Sequence, residues 1–318
     1  RYAVDNDWVV PHFEKMLYDN AQLLRVYGHL ARIVDDPLPG RIAEEIVDFL
    51  RRDLRVVGGF ASSLDADAAG VEGSTYVWTP AELREVLGDE DGEWAAALFG
   101  VTEAGTFEHG ASTLQLRTDP EDADRYADLR RRLLTARASR PQPPRDDKVV
   151  TGWNAMAVTA LAEAGAALDH PDWVELAVEV LTELVDTHLV DGQLRRSSLG
   201  GIVGVPVAAL DDHAALVTAM LTVCQVTGEK SWCDKGLALL DSTIETFADP
   251  DEAGAWFDAD AVAARAELAR WLVRADFPGD GAALVEAALD HRAPDAVVDE
   301  GTHYFSACLL YTSPSPRD

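Results

Sequence analysis

Residues 149–189 read VVTGWNAMAVTALAEAGAALDHPDWVELAVEVLTELVDTHL, and this stretch decides the fold. Apolar residues recur every three or four positions on both sides of Pro171, which predicts one helix at 149–168 and a second at 171–189. The first helix is rich in alanine, and its small side chains allow other helices to approach closely on both sides. The second has one bulky apolar stripe and a charged back, which is typical of an outer helix. The stretch therefore predicts a helical hairpin with an inner and an outer member.

The same hairpin recurs on both sides of this stretch. Periodic apolar residues predict further helices at 11–33, 40–55, 209–227 and 230–247. A glycine-containing extended return follows the second helix of a pair, as at Gly192. A repeat of this length predicts stacked hairpins that cannot bury their apolar faces alone. The fold class is therefore predicted to be all-α, a ring of paired helices.

Residues 58–118 interrupt the repeat and are predicted to form a small β-containing insertion. Strand-like segments at 73–78 and 112–116 flank two short helices. The sequence Thr-Pro-Ala-Glu beginning at Thr79 is a capping box with proline at the first helical position, which predicts a helix start. A helix at 120–138 and a proline-rich linker lead back to the repeats.

The charge and the cysteine content exclude several classes of function. The chain carries 56 acidic and 27 basic residues, a net charge of −29, so nucleic acids and anionic membranes are poor partners. Cys224, Cys233 and Cys308 have no metal-ligand or redox spacing, which favours a reduced, cytoplasmic location. The sequence has no phosphate loop, zinc spacing or serine nucleophile elbow. We therefore predict no metal and no cofactor.

The two ends of the sequence differ from its middle. The chain begins without methionine and reads like the interior of a longer protein, so we expect a truncated N-terminus. The toroid is predicted to occupy residues 1–307, but in 259–307 the helices expected at 260–273 and 281–291 lack the glycine-aromatic return. Residues 308–318, CLLYTSPSPRD, resemble a translated sequencing adapter and are excluded from the predicted fold.

Polar residues crowd the starts of the inner helices. Because alternate helices of such a ring run parallel, these starts are predicted to meet at one acid-lined mouth, with the loop at 65–67 covering it. The candidate catalytic residues are His12, Asp65, Asp67, Asp146, Asp147 and Asp212. The candidate substrate-binding residues are Glu14, Lys15, Glu72, Tyr76, Trp78, Lys148, Trp153, Asn154 and His213.

Each of these residues also has a purely structural interpretation. Asp146 and Asp147, which precede the helix at 149–168, and Asp211 and Asp212, at the start of the helix at 209–227, could be caps. His12 and Lys15 could belong to a solvated polar face of the predicted helix. Trp153 could simply fill the hydrophobic core. The segment beginning at Asp65 resembles a calcium loop, but Tyr76 stands where the bidentate glutamate is needed, so calcium is not expected.

Several segments together resemble one protein family. They are VPHFEKMLYDN at 10–20, SLDAD at 63–67, YVW at 76–78 and RDDK at 145–148 with Trp153 and Asn154. These look like the thioredoxin-domain-containing proteins related to spermatogenesis-associated protein 20. The resemblance implies an incomplete (α/α)6 toroid of the six-hairpin-glycosidase type, and a thioredoxin-like domain elsewhere in the full-length chain. The resemblance does not establish an activity.

Three functions are compatible with the sequence. In the first, the domain acts on or binds carbohydrates, a carboxylate pair supplies acid and base or nucleophile, and Trp78 and Trp153 stack on sugar rings. In the second, it is a sugar epimerase or isomerase that uses His12 and His213 for proton transfer. In the third, it is a non-catalytic binding module for the thioredoxin-like domain.

Overall fold

The computed structural model describes residues 2–248. The predictions for 259–307, including its two helices, and for 308–318 lie outside these residues. The described residues divide into two compact units, one of 2–19 with 62–146, and one of 20–61 with 147–248. We call them the insertion unit and the hairpin unit.

Helices dominate the described chain. The α-helices are α1 Leu17–Leu30, α2 Leu38–Phe49, α3 Pro80–Leu87, α4 Asp89–Phe99, α5 Ala123–Ala138, α6 Thr151–Leu168, α7 Pro171–His188, α8 Leu210–Thr227 and α9 Lys230–Phe247. A π-helical turn, Leu50–Leu54, extends α2, and a 3₁₀ turn covers Glu108–Gly110.

The strands are all short. They are β1 Lys15–Met16, β2 Arg55–Val56, β3 Gly59–Phe60, β4 Ser63–Leu64, β5 Asp67–Ala68, β6 Val71–Glu72, β7 Arg145–Asp146, β8 Lys148–Val150, β9 Leu189–Val190, β10 Gln193–Leu194, β11 Ser197–Leu199 and β12 Ile202–Val203. Their pairings are antiparallel.

The hairpin unit has the inner and outer helices that the periodicity predicts. Helix α6 packs against α7 and α8, and α8 packs against α9. Small residues allow the close approach on the other side of α6, where a Cβ added at Gly28 of α1 would lie only 2.9 Å from the Cβ of Ala164. The starts of α6 and α8 are joined by a hydrogen bond from the Gly152 amide to Asp212. These two inner helices are therefore parallel neighbours, and the four helices predicted at 149–247 are confirmed.

The predicted helix at 11–33 is wrong at its start. Helix α1 begins at Leu17, and the residues before it are extended because β1 pairs with β4. His12, Lys15 and Asp19 consequently do not share one helical face. The amphipathic pattern of this segment arises from a strand followed by a helix.

The insertion unit joins a small sheet to a helical core. The sheet has the order β1-β4-β7, and the core contains Trp78 together with apolar residues of α3, α4 and α5. Thr79 and Glu82 form the predicted capping box at the start of α3. The strands predicted at 73–78 and 112–116 are wrong except for one bridge between Trp78 and Ser112. The physical reason is a turn in which the Gly73 carbonyl accepts from the Tyr76 amide at 2.8 Å.

Gly73 is tightly confined in this turn. Its φ is +67°, and an added Cβ would lie 2.6 Å from Cε2 of Phe13. We expect Gly73→Ala to lower the free energy of unfolding by about 3 kcal/mol, since both backbone strain and overpacking contribute. Urea unfolding of the full chain measures this. Gly70→Ala is the matched control, because Gly70 has φ +79° but open space around it, and should cost about 1 kcal/mol. Equal losses would show that the Phe13 contact is unimportant.

A disulfide joins α8 to α9 through Cys224 and Cys233. The cysteine spacing favoured reduced cysteines, whereas these two are joined in the structure. The sequence spacing resembles no metal or redox motif, but the turn between the helices brings the end of α8 beside the start of α9.

Candidate functional site

A cluster of ionisable side chains surrounds His12 in the insertion unit. The Nε2 atom of His12 lies 3.4 Å from a carboxylate oxygen of Glu14, and Nδ1 lies 3.9 Å from one of Glu72. The Tyr2 ring stacks on the imidazole with a centroid distance of 4.9 Å. His12 remains part-exposed. The arrangement holds an imidazole between two carboxylates while leaving it accessible to a ligand.

The small sheet explains why residues distant in sequence meet here. Lys15 pairs with Leu64, and Ser63 pairs with Asp146, so the segments carrying His12, Asp65 and Asp146 are adjacent strands. The neighbouring hairpin pairs Asp67 directly with Glu72, which is the residue that reaches His12. We call His12, Glu14, Asp67 and Glu72 the histidine–carboxylate cluster.

The loop aspartates lie at the edge of this cluster. Asp65 and Asp67 are both exposed, and the Asp65 carboxylate accepts a 3.2 Å hydrogen bond from the Asp67 amide. Asp146 is part-buried, and its backbone carbonyl accepts from the amide and hydroxyl of Ser62. Among residues 2–248, no group of three or more histidines, cysteines and acidic residues has the geometry to hold a metal ion.

Lys15 and Tyr76 form a second contact in the insertion unit. The Lys15 ammonium lies 3.5 Å from the centre of the Tyr76 ring, and it also donates to the Phe13 carbonyl at 2.7 Å. The Tyr76 ring is stacked on Phe13 at 6.1 Å. A cation fixed on an aromatic face is well placed to orient a polar ligand.

The stacking role predicted for Trp78 is wrong. Its side chain is only 2% exposed and belongs to the core between α3, α4 and α5. The Arg140 guanidinium covers the ring at 3.8 Å, so neither face is open to a sugar. The burial of Trp78 could not be predicted from the sequence, because core tryptophans and ligand-stacking tryptophans look alike there.

Asp212 occupies the junction of two helix starts in the hairpin unit. One carboxylate oxygen accepts from the Gly152 amide at 2.9 Å, and the other accepts from the Ala209 amide and from Arg196, both at 3.1 Å. The side chain is 1% exposed. Burial, reinforced by the nearby Asp211, raises the pKa of Asp212 to about 6. Asp212 is therefore not the N-cap, which is Ala209, but the third residue of α8. Its carboxylate accepts from the N-cap amide and also binds the start of α6.

His213 is a buried neutral imidazole. Its Nδ1 lies 3.1 Å from the Thr243 hydroxyl, which itself donates to the Leu239 carbonyl, so Nδ1 carries the proton. Burial lowers the pKa of His213 to about 4. The Phe247 ring packs edge-on against it at 5.2 Å. The Nε2 atom therefore keeps its lone pair at neutral pH and can accept a hydrogen bond.

Asn154 makes a backbone contact in the fold. Its amide oxygen accepts from the Phe60 amide at 2.7 Å, and its nitrogen donates to the carbonyls of Phe60 and Val150 at 3.0 Å. Both donors are occupied and the side chain is fully buried. Asn154 thus pairs with the β3 backbone as a neighbouring strand would. Its side chain has no free hydrogen-bond donor with which to bind a substrate.

We expect Asn154→Ala to lower the free energy of unfolding by about 2–3 kcal/mol. The substitution leaves the buried amide and carbonyl of Phe60 without partners. Chemical denaturation of the full chain tests this. Thr159→Ala on the same helix is the control, because the buried Thr159 hydroxyl donates only to the Ala155 carbonyl of its own helix. Its cost should stay below about 1 kcal/mol, and a similar cost for both variants would contradict the assignment.

The start of α6 differs from the predicted cap. Its N-cap is Val150, with no side-chain hydrogen bond, while Asp146 lies in β7 and Asp147 follows that strand. Asp147 and Lys148 are exposed, and Trp153 is part-exposed on α6. The cap interpretation is therefore wrong for Asp146 and Asp147.

Two polar features were missed by the sequence reasoning. Arg196 is the cation that meets Asp212. His188 is fully buried, with Nδ1 2.6 Å from the Thr151 hydroxyl and Nε2 2.8 Å from the Ser198 hydroxyl. Burial lowers the pKa of His188 to about 4. Neither residue lies at a helix start, and the candidate residues were chosen from the helix starts.

The structure thus groups the predicted residues into two sets. The insertion unit holds His12, Glu14, Lys15, Asp65, Asp67, Glu72, Tyr76, Trp78 and Asp146. The hairpin unit holds Asp147, Lys148, Trp153, Asn154, Asp212 and His213. That the two sets of residues meet at one pocket mouth stays a prediction.

Known proteins share both the sequence and the helical architecture. Spermatogenesis-associated protein 20 of Mus musculus is 31% identical over 301 residues, which covers 80% of this chain and 38% of that protein. The chain is similar to spermatogenesis-associated protein 20. The human protein of the same name is 29% identical over 308 residues, covering 82% of this chain and 39% of that one. The chain therefore spans less than half the length of these relatives.

Solved structures confirm the predicted fold class. The cellobiose 2-epimerase from Spirochaeta thermophila DSM 6192 is 14% identical, with a TM-score of 0.57 that covers 91% of this chain and 61% of that chain. The cellobiose 2-epimerase from Bacillus thermoamylovorans B4167 is 10% identical, with a TM-score of 0.52 that covers 91% and 58%. The fold is mainly helical, with small strand insertions, and is similar to the (α/α)6 toroid of sugar epimerases.

A different family matches the far end of the sequence. Residues 263–300 match a family described as Protein of unknown function (DUF2795). The match coincides with the region where the helical repeat loses its glycine-aromatic return. Separately, no helix among residues 2–248 is long and apolar enough to cross a membrane.

Proposed function

We propose that this chain is a sugar-handling domain in which His12 transfers protons to and from a bound carbohydrate. The observation that carries the proposal is the histidine–carboxylate cluster. His12 lies between Glu14 and Glu72 and stays part-exposed. An imidazole held by carboxylates in this way is a common arrangement for general acid–base catalysis.

The surrounding groups suit a polar, uncharged ligand. Carboxylates such as those of Asp65, Asp67 and Glu72 accept hydrogen bonds from sugar hydroxyls, and all three are exposed. The strong negative charge of the chain disfavours a phosphorylated sugar. Two solved proteins with this fold are named as cellobiose 2-epimerases, which supports a carbohydrate as the ligand class. A fold alone does not fix an activity, so the cluster and not the likeness decides the proposed role.

The test uses the full chain with a panel of reducing aldoses, disaccharides and aryl glycosides in D₂O. Proton transfer at carbon introduces deuterium next to the sugar carbonyl, which proton NMR detects as a lost signal. Deuterium incorporation with epimer or ketose formation supports the proposal. If the chain neither exchanges protons nor binds any panel member, the proposal fails and the non-catalytic binding module becomes the better hypothesis.

Glycoside hydrolysis is the second candidate. The cross-strand pair of Asp67 with Glu72 favours it, because two adjacent carboxylates are the minimum requirement for acid and base or nucleophile. The aryl glycosides in the same panel distinguish the two reactions. Release of the aryl group without deuterium incorporation would favour hydrolysis over proton transfer at carbon.

We also propose that the chain is part of a protein related to spermatogenesis-associated protein 20. The similarity over 80% of the chain supports this. The complete protein would then carry a thioredoxin-like domain that partners this one, in the cytoplasm. Sequencing the complete gene tests the first point, and a coding region without a thioredoxin-like segment would refute it. Fractionation of the source cells tests the location.

A further inference from the structure

The disulfide between α8 and α9 has an unusual position for a structural cross-link. Cys224 lies in the last turn of α8, and Cys233 lies in the first turn of α9. Their Cα atoms are 5.5 Å apart, within the normal range for a disulfide. The bond spans only the short turn between the two helices.

The two helices are held together without this bond. A Cβ added at Gly236 of α9 would lie 3.2 Å from side-chain atoms of both Met220 and Leu221 of α8, so the helices pack closely. Trp232, Leu239 and Leu240 of α9 are buried. Because the disulfide closes a loop of only 9 residues' separation, it restricts the unfolded chain less than a long-range bridge would. Opening the bond should therefore leave the hairpin folded.

The two sulfurs lie in different environments. Cys224 is only 9% exposed, whereas Cys233 is part-exposed. The first turn of α9 carries the positive end of the helix dipole, which favours a thiolate at Cys233. A thiolate stabilised in this way is a good leaving group in thiol–disulfide exchange.

We propose that Cys224 and Cys233 form a reversible redox pair that a dithiol reductant opens in the folded protein. A thiolate of the dithiol attacks the sulfur of Cys233, the disulfide bond breaks, and its electron pair goes to Cys224, which takes up a proton. The second thiol of the reductant then attacks the mixed disulfide and releases Cys233 as the thiolate. The reductant leaves as a cyclic disulfide, so the pair is reduced by two electrons and the dithiol is oxidised by two. This proposal is independent of the sugar-handling function.

The experiment uses the full chain purified under oxidising conditions and treated with dithiothreitol without denaturant. Samples are alkylated over time and the cysteine peptides are quantified by mass spectrometry, while circular dichroism follows the helices. We expect the pair to open with the helix signal unchanged and with a Tm lowered by no more than about 10 °C. Once reduced, Cys233 should be alkylated at least about tenfold faster than Cys224.

Single substitutions keep the test decisive. Cys224→Ser and Cys233→Ser should each reproduce the Tm of the reduced chain, because each removes the bond and little else. The proposal is overturned if the bond resists dithiothreitol until the chain unfolds, since it is then a structural staple. It is equally overturned if the oxidised chain retains two free thiols at these positions, or if Cys233 is alkylated no faster than Cys224.

Discussion

Replacement of His12 by asparagine is expected to lower the rate of proton transfer to sugars by about 10²–10⁴-fold. Asparagine preserves a polar side chain of similar reach but cannot accept and release a proton near neutral pH, and general acid–base catalysis typically contributes that factor. The full chain and the variant are compared by deuterium incorporation into the best substrate of the panel. The loss should appear in kcat, because the carboxylates that bind the sugar hydroxyls are unchanged.

A control histidine is available in the same unit. His109 has a side chain that is 90% exposed, and its nearest acidic group is the neighbouring Glu108 at 4.0 Å. His109→Asn should leave the rate unchanged within a factor of about two. The His12 variant should also unfold at nearly the same urea concentration as the unmodified chain. A His12 variant with full activity, or one whose loss is matched by His109→Asn, would remove His12 from the reaction.

Glu72→Gln then separates positioning from chemistry. Glu72 reaches His12 from the neighbouring hairpin at 3.9 Å and is exposed, so its removal should not unfold the chain. We expect a smaller fall in rate than for His12→Asn, because the imidazole loses an orienting charge but keeps its proton-transferring atoms. An unchanged rate would mean that the Glu72 carboxylate does not act on the imidazole.

The helical hairpins could be predicted because their signal is local. Helix α6 is rich in alanine and α7 has one bulky apolar stripe. The periodicity of these residues alone predicts the ends of both helices to within two residues. Helix α1 shows where this approach fails. The extended pairing of Lys15 with Leu64 is set by a segment nearly fifty positions along the chain, and no local pattern at 11–16 encodes it.

The roles of individual polar residues were harder to predict than their locations. The sequence analysis singled out Asn154 and Asp212 as candidate site residues at helix starts. Their hydrogen-bond partners are backbone groups of Phe60, Gly152 and Ala209. Backbone groups have no identity in a sequence, so such partners cannot be inferred from residue types. The carboxylate partners of His12 are side chains of candidate residues, Glu14 and Glu72, but the sequence analysis did not pair them with His12.

Asp212→Ala is expected to lower the free energy of unfolding by about 3 kcal/mol at neutral pH. The substitution removes the acceptor for the buried Gly152 amide and the part-buried Ala209 amide, and it leaves Arg196 without its closest carboxylate. Unsatisfied buried donors cost about 1–3 kcal/mol each, while Arg196 is half-exposed and recovers part of its loss from water. Urea unfolding measures the change. Asp211→Ala is the control, because Asp211 is part-exposed and its contact with Arg196 is a longer one of 3.7 Å. This substitution should lower the free energy of unfolding by less than about 1 kcal/mol.

The pH dependence of this loss tests whether burial raises the pKa of Asp212 in the folded chain. Burial raises the pKa of Asp212 from 3.8 to about 6, so the folded chain binds this proton more tightly than the unfolded chain does. The contribution of the carboxyl group to stability is therefore complete below the unfolded value and declines as the pH rises to about 6. The stability gap between the unmodified chain and Asp212→Ala should accordingly widen as the pH falls from about 7 towards 4. A gap that stays constant over this range would show that Asp212 titrates alike in the folded and unfolded chains. A gap that narrows as the pH falls would show that its hydrogen bonds lower the pKa by more than burial raises it.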